Sequence, residues 1–115
     1  MTPTDLVQRQ LDAYNDHDLG QFLACYSDAI RTFRMPAHEP AITGKAELGE
    51  FYATHRFNRP QLHAEVLSRI VLGNKVIDHE RVHGLGPVAS EVVAVYEVEG
   101  GLIQNVWFFS PQSST

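Results

Sequence analysis

The sequence is poor in the features that announce a chemistry. Its 115 residues hold one cysteine, so no internal disulfide is available. Lone Cys25 falls among helix-spaced apolar residues and reads as a buried, inert thiol. Lysine and arginine total nine against fourteen acids, for a net charge of -5, and they nowhere cluster. A nucleic acid or an anionic membrane calls for a basic stripe, so neither is expected as a partner. No apolar run reaches membrane-spanning length, and the opening MTPTDLVQRQ lacks the apolar segment of a secretory leader. A cytoplasmic location is the expectation. There are no repeats, no low-complexity tracts and no linker, and the length suits one domain over residues 1–115 with a single core.

What is present is strong patterning. Thr4 is placed to cap a first helix from about Asp5 to Asn15, with Leu6, Val7, Gln10, Leu11 and Tyr14 at helical spacing. After the turn Asn15–Asp18, Asp18 can cap a short second helix bearing Phe22, Leu23 and Tyr26. Ala29–Phe33 reads as a strand, and Arg34–Pro40 as a loop stiffened by two prolines. Ala41–Ile42 suggests a short strand, and Thr43–Gly44 opens a third helix with Leu48, Phe51 and Tyr52 on its apolar side. Two β-branched runs then flank Gly73–Asn74, a two-residue turn suited to a tight hairpin. Glu91–Glu99 and 102–110 form the last two strands around Gly100–Gly101, and the tail PQSST is polar and expected to fray. Three helices followed by hairpin-linked strands give an α+β fold: a curved, mostly antiparallel sheet wrapped by helices into a cone. Such a shape leaves a hollow, where ligand sites tend to lie.

If Leu72 pairs with Lys75, then Ile70 faces Ile77, Arg69 faces Asp78 and Ser68 faces His79. Ile70, Ile77, His79, Arg81 and His83 then share one face, expected to floor the pocket. The opposite face, with Leu67, Val71, Val76 and Val82 and an Arg69–Asp78 pair, is expected to lie outside as a dimer surface. His79, Arg81 and His83 are the candidate catalytic groups, because two imidazoles and a guanidinium can move protons and hold an acidic or carbonyl ligand. A structural network with Glu39, Glu91 or Glu97 is the equal alternative. Gln10, Tyr14, Arg34, Tyr52, Ile70, Ile77 and Trp107 are the candidate ligand-contacting residues. Strand parity alone leaves the face of Trp107 open. Residues 79–83 spell H-E-x-x-H, a zinc signature only on a helix. On the strand expected here the two imidazoles stand roughly 13 Å apart, taking about 3.3 Å per residue, and cannot share a metal. No metal and no cofactor are expected.

Several strings in order resemble the nuclear-transport-factor-2-like superfamily, and its SnoaL-like and steroid-isomerase-like small proteins most closely. They are Tyr14-Asn15 with His17-Asp18-Leu19, Phe22 through Tyr26-Ser27-Asp28-Ala29, Gly44-Lys45 with Phe51-Tyr52, and Gly101-Leu102-Ile103 with Val106–Phe109. The resemblance covers nearly the whole chain. It implies a cone-shaped fold, usually dimeric, with a variable pocket. Ketosteroid isomerases in that group use a carboxylate base just before a proline, where this chain has Arg34-Met35-Pro36. Their two oxyanion donors fall on Gln10 and near Val92–Ala94. Steroid isomerisation is therefore not expected. Of the limonene-epoxide-hydrolase pattern Arg81 is retained, while His83 and Phe108 stand where carboxylates belong. The resemblance implies a small hydrophobic organic ligand, with isomerase, cyclase or hydratase-type acid–base chemistry, or else a non-catalytic dimeric binding or protein-interaction module.

Overall fold

The computed structural model describes residues 1–111, so most of the polar tail lies outside the described residues. Helix α1 (Pro3–Asn15) begins two residues earlier than the sequence suggests, because Thr2 rather than Thr4 caps it. Thr2 Oγ1 accepts from the Asp5 amide, and Asp5 returns the bond to the Thr2 amide, each at 3.1 Å. Pro3 fills the first turn, where no amide hydrogen is needed. Asp18 caps α2 (Leu19–Leu23) by accepting from the Gln21 amide at 3.0 Å. Tyr26, expected on that helix, instead opens strand β1 (Tyr26–Arg34). Strand β2 (Ile42–Thr43) and helix α3 (Lys45–His55) follow.

Strands β3 (His63–Leu72) and β4 (Lys75–His83) form the expected hairpin, with Leu72 opposite Lys75, Ile70 opposite Ile77 and Ser68 opposite His79. Gly73 takes φ +60°, which its missing Cβ makes cheap. A bulge between Val66 and Ser68 shifts the far end, so Glu65 rather than Val66 stands opposite Arg81. Strands β5 (Ser90–Glu99) and β6 (Leu102–Phe109) complete a six-stranded sheet ordered β2-β1-β6-β5-β4-β3. It is antiparallel except where β1 lies parallel to β6. The α+β cone with helices against one face is the architecture the sequence implies.

The sidedness of the hairpin is reversed from expectation. Val76, Asp78, Glu80 and Val82 face the helices and are buried, with Val76 and Asp78 fully so. His79, Arg81 and His83 lie on the outer face, and Ile70 there is 63% exposed. Two acids on a buried face are tolerable only if satisfied, since an isolated buried charge costs several kcal/mol. Arg69 meets Asp78 with two hydrogen bonds of 2.6 and 2.9 Å and is itself braced at 2.8 Å by Gln8 of α1. The pair expected as a solvated surface contact is therefore an internal one. Val76 and Val82, expected on a dimer surface, belong to the core, while Leu67 and Val71 remain exposed.

The end of α1 is tied to the start of β3 by side chains acting on backbone. Asn15 Nδ2 donates to the Ala64 carbonyl at 3.0 Å, and its Oδ1 accepts from the Ala64 amide at 2.7 Å. The His17 ring nitrogen lies 2.9 Å from the Leu62 carbonyl. These bonds hold α1 across the sheet. Phe22 then packs with its ring centre 4.7 Å from that of Tyr52 and 4.9 Å from that of Tyr26, joining α2 to α3 and β1.

Candidate active site

The helices and the inner face of the sheet enclose a cavity of about 280 Å³. Its apolar walls come from Leu11, Phe22, Ile42, Val82, Val92 and Phe108, and Leu85 and Ser90 reach it from the region joining β4 to β5. The polar groups that line it include Gln10 and Tyr14 of α1, Tyr26, Thr32 and Arg34 of β1, Tyr52 of α3, Arg56 beyond it, Glu80 of β4, Glu91 and Tyr96 of β5, and Ser110.

Four of these polar groups form a directed chain. Tyr26 donates to Gln10 Oε1 at 2.9 Å, Gln10 Nε2 donates to the Tyr96 hydroxyl at 3.3 Å, and Tyr96 donates to Glu80 Oε2 at 3.4 Å. Every donor points toward the carboxyl group, so each hydrogen bond polarises the next in the same sense. The residues arrive there by simple alternation. Glu80 lies two positions along from Asp78 and Val82 on the buried side of β4, and Tyr96 two positions from Ala94 on β5.

Burial pushes the Glu80 carboxyl up to about 7, and the neighbouring Asp78 charge pushes the same way. The Tyr96 hydrogen bond and the Arg69 charge oppose the rise and are outweighed. Burial likewise raises the hydroxyls of Tyr14, Tyr26, Tyr52 and Tyr96, so all four remain proton donors across the physiological range. The cavity thus holds one carboxyl group that can give or take a proton near neutrality, among hydroxyls that stay protonated. A group whose pKa lies near the working pH is the best placed for general acid–base catalysis.

Of the residues proposed from sequence, Gln10, Tyr14, Arg34 and Tyr52 line this cavity. Ile70, Ile77 and Trp107 do not: Trp107 stacks on Phe33 at 5.9 Å, and Val95 opposite it pairs with Ile77 on the outer face. His79, Arg81 and His83 also lie outside it, each within reach of an acid. The His79 ring nitrogen is 2.6 Å from Glu91, and Arg81 and His83 approach Glu65 at 3.7 and 3.5 Å. His38 and Glu39 are exposed, and neither lines the cavity. H-E-x-x-H runs along β4, which puts both imidazoles on the outer face and its glutamate, Glu80, inside. Sequence patterning does not single out Glu80, Tyr26, Tyr96 or Arg56 as site residues. The available signals are that Glu80 shares parity with Val76 and Val82, and that Arg69 stands ready to neutralise Asp78.

The positions that a ketosteroid isomerase or an epoxide hydrolase would fill with reacting groups are only partly useful here. Gln10, Arg34, Val92 and Phe108 do line the cavity, but as an amide, a guanidinium, an isopropyl and a phenyl group. Among the described residues, the one acid that is both buried and cavity-lining is Glu80, at a position neither pattern uses.

Known proteins of this shape are numerous. An uncharacterised cystatin-fold protein from Novosphingobium aromaticivorans is 24% identical, with a TM-score of 0.83 over 94% of this chain and 97% of its own. A candidate ketosteroid isomerase from Kribbella flavida is 22% identical, with a TM-score of 0.82 over 98% of this chain and 80% of its own. A candidate polyketide cyclase from Sinorhizobium meliloti is 16% identical, with a TM-score of 0.77 over 90% and 93%. At these identities the likeness establishes the fold alone. No curated protein matches the sequence. The SnoaL-like domain matches residues 7–106, the greater part of the chain, and the protein belongs to that family, within the nuclear-transport-factor-2-like superfamily.

Proposed function

We propose that the protein holds a small hydrophobic organic molecule in its conical cavity and moves a proton on it, in the manner of an isomerase, cyclase or hydratase. The observation that carries this is Glu80, a buried carboxyl group lining the cavity and titrating near 7. In this scheme Glu80 takes a proton from carbon or from water as general base and returns it as general acid. A tyrosine hydroxyl from Tyr14 or Tyr52 donates to the oxygen on which charge develops. Steroid isomerisation itself is not part of the proposal, since its base and oxyanion positions are filled by other residue types.

The test is proton exchange. Hydrophobic ketones that raise the melting temperature are incubated in deuterium oxide, and wash-in at the carbon next to the carbonyl is followed by NMR. Wild type is expected to catalyse exchange on a bound ketone, and Glu80→Gln to slow it by roughly a hundredfold or more, the usual size of a general-base contribution. Equal rates in the two proteins would overturn Glu80 as the base. Binding without exchange would favour the second reading, a dimeric binding module.

That second reading draws on the outer face of the sheet. Phe33, Trp107, Val95, Ile77 and Ile70 lie in register across five strands as one apolar row. Polar and charged positions flank it on both sides, Lys75 with Glu97 on one and His79 with Glu91 on the other. A row bordered by both signs of charge suits contact with a second copy of itself. A homodimer formed through this face is compatible with either function.

A further inference from the structure

The cavity is electrically lopsided. Glu80, with Asp78 buried beside it in β4, makes one side acidic. Arg34 and Arg56, from the end of β1 and the residue capping α3, line the same cavity. Both guanidinium groups lie over the Phe51 ring, at 5.9 and 5.0 Å from its centre. The other cavity-facing acid, Glu91, is engaged with His79 at 2.6 Å. Arg69 and Arg81, by contrast, reach Asp78 and Glu65. Among the described residues no ion pair to Arg34 or Arg56 is made. Arg56 uses one Nη1 donor on the His55 carbonyl at 2.9 Å, which leaves most of its donors for another acceptor.

We propose that Arg34 and Arg56 are an anion-binding pair, and that the molecule held in the cavity is a compact apolar carboxylate. Its acid group sits at the Phe51 rim and its body extends along the apolar wall toward Glu80. This rests on the reading of the cavity as a ligand site and adds the class of ligand. A carboxylate matches the flat fork of a guanidinium group, which can hold it through two parallel hydrogen bonds. A monoanion fits better than a dianion such as a phosphate ester, because Glu80 and Glu91 line the same space and the chain is acid-rich overall. The cavity volume lies just below the usual span of ligand pockets, roughly 300 to 1,000 Å³, so a compact body is required. Anchoring one end at the arginines also fixes which carbon meets Glu80. Orientation of that kind is where binding energy helps a proton transfer most.

The experiment compares acids with their neutral amides. Benzoate, cinnamate and cyclohexanecarboxylate, each beside its own amide, are titrated into the full-length protein by calorimetry at low and moderate salt. For at least one pair, the acid is expected to bind tenfold or more tightly than the amide. Arg34→Gln and Arg56→Gln should each reduce that preference by weakening the acid more than its amide, and the double variant should abolish it. Arg34→Lys should restore part of it. Arg81→Gln, on the outer face, should leave the preference as it is, which separates a local anchor from overall charge. Acid and amide binding equally well, or a preference indifferent to both arginines, would overturn the carboxylate inference and leave the cavity as a ligand site. Binding of neither class would overturn both.

Discussion

Glu80 sits where the chain's charge and its packing conflict. Its folded pKa of about 7 stands above its ordinary 4.5, so the native state keeps a proton that the unfolded chain has already lost. Stability from this group is therefore complete below about pH 4.5 and falls as pH rises through the window to 7. The loss amounts to about 3 kcal/mol, at about 1.36 kcal/mol for each pH unit separating the folded and unfolded values. Denaturant unfolding measured from pH 4.5 to 8 should show that slope, and Glu80→Gln should flatten it and be the more stable protein at pH 8. Tyr96→Phe removes a hydrogen bond that favours the ionised form, so it should move the Glu80 midpoint upward. A midpoint that falls or stays would mean that Tyr96 does not donate to the carboxylate.

At the scale of elements, β4 is the most instructive strand. Its existence, its turn and its register with β3 follow from Gly73-Asn74 between β-branched runs, because that geometry is decided within a few residues. Which side of it faces the helices is decided elsewhere. Both sides of β4 mix apolar with charged or polar residues, Ile77-His79-Arg81-His83 against Val76-Asp78-Glu80-Val82, so alternation alone does not settle it. The deciding contacts are Arg69 on Asp78 and the chain from Tyr26 through Gln10 and Tyr96 to Glu80. Gln10 and Tyr26 come from elements far away in sequence, so no pattern within the hairpin announces their link to β4. Gln10, Tyr14 and Tyr52 are legible as cavity residues from helix periodicity, and Arg34 from its place in the loop directly after a strand. Two predictions belong to this scale. Arg69→Met leaves Asp78 fully buried without its cation and should cost about 3 kcal/mol or more in chemical denaturation. Gly84→Ala, at φ +91°, would place a Cβ 2.4 Å from the Gln61 backbone, so it should destabilise the fold by at least about 1–3 kcal/mol. A neutral result at either position would show that the β3–β4 hairpin can rearrange freely there.

At the scale of the whole molecule, the two faces of one sheet divide the work. The inner face, roofed by helices, carries the cavity, and the outer face carries the apolar row from Ile70 to Phe33 that we assign to a second copy. Trp107→Glu places a charge in the middle of that row and should turn a dimer into a monomer by analytical ultracentrifugation, with ligand binding in the cavity kept. A sedimentation coefficient unaltered by the substitution would remove the outer face from consideration as the interface. No helix among the described residues is long and apolar enough to cross a membrane.

The claim on which the functional account depends is that the inner face of β4 presents an acid poised near neutrality to the cavity. The direct test is the side-chain carboxyl carbon of Glu80, followed by NMR as pH is raised from about 3 to about 9 and assigned by its loss in Glu80→Gln. A midpoint near 7 is expected, moving when a ligand enters the cavity. A midpoint near 4.5, indifferent to ligand, would place Glu80 in water and contradict the account.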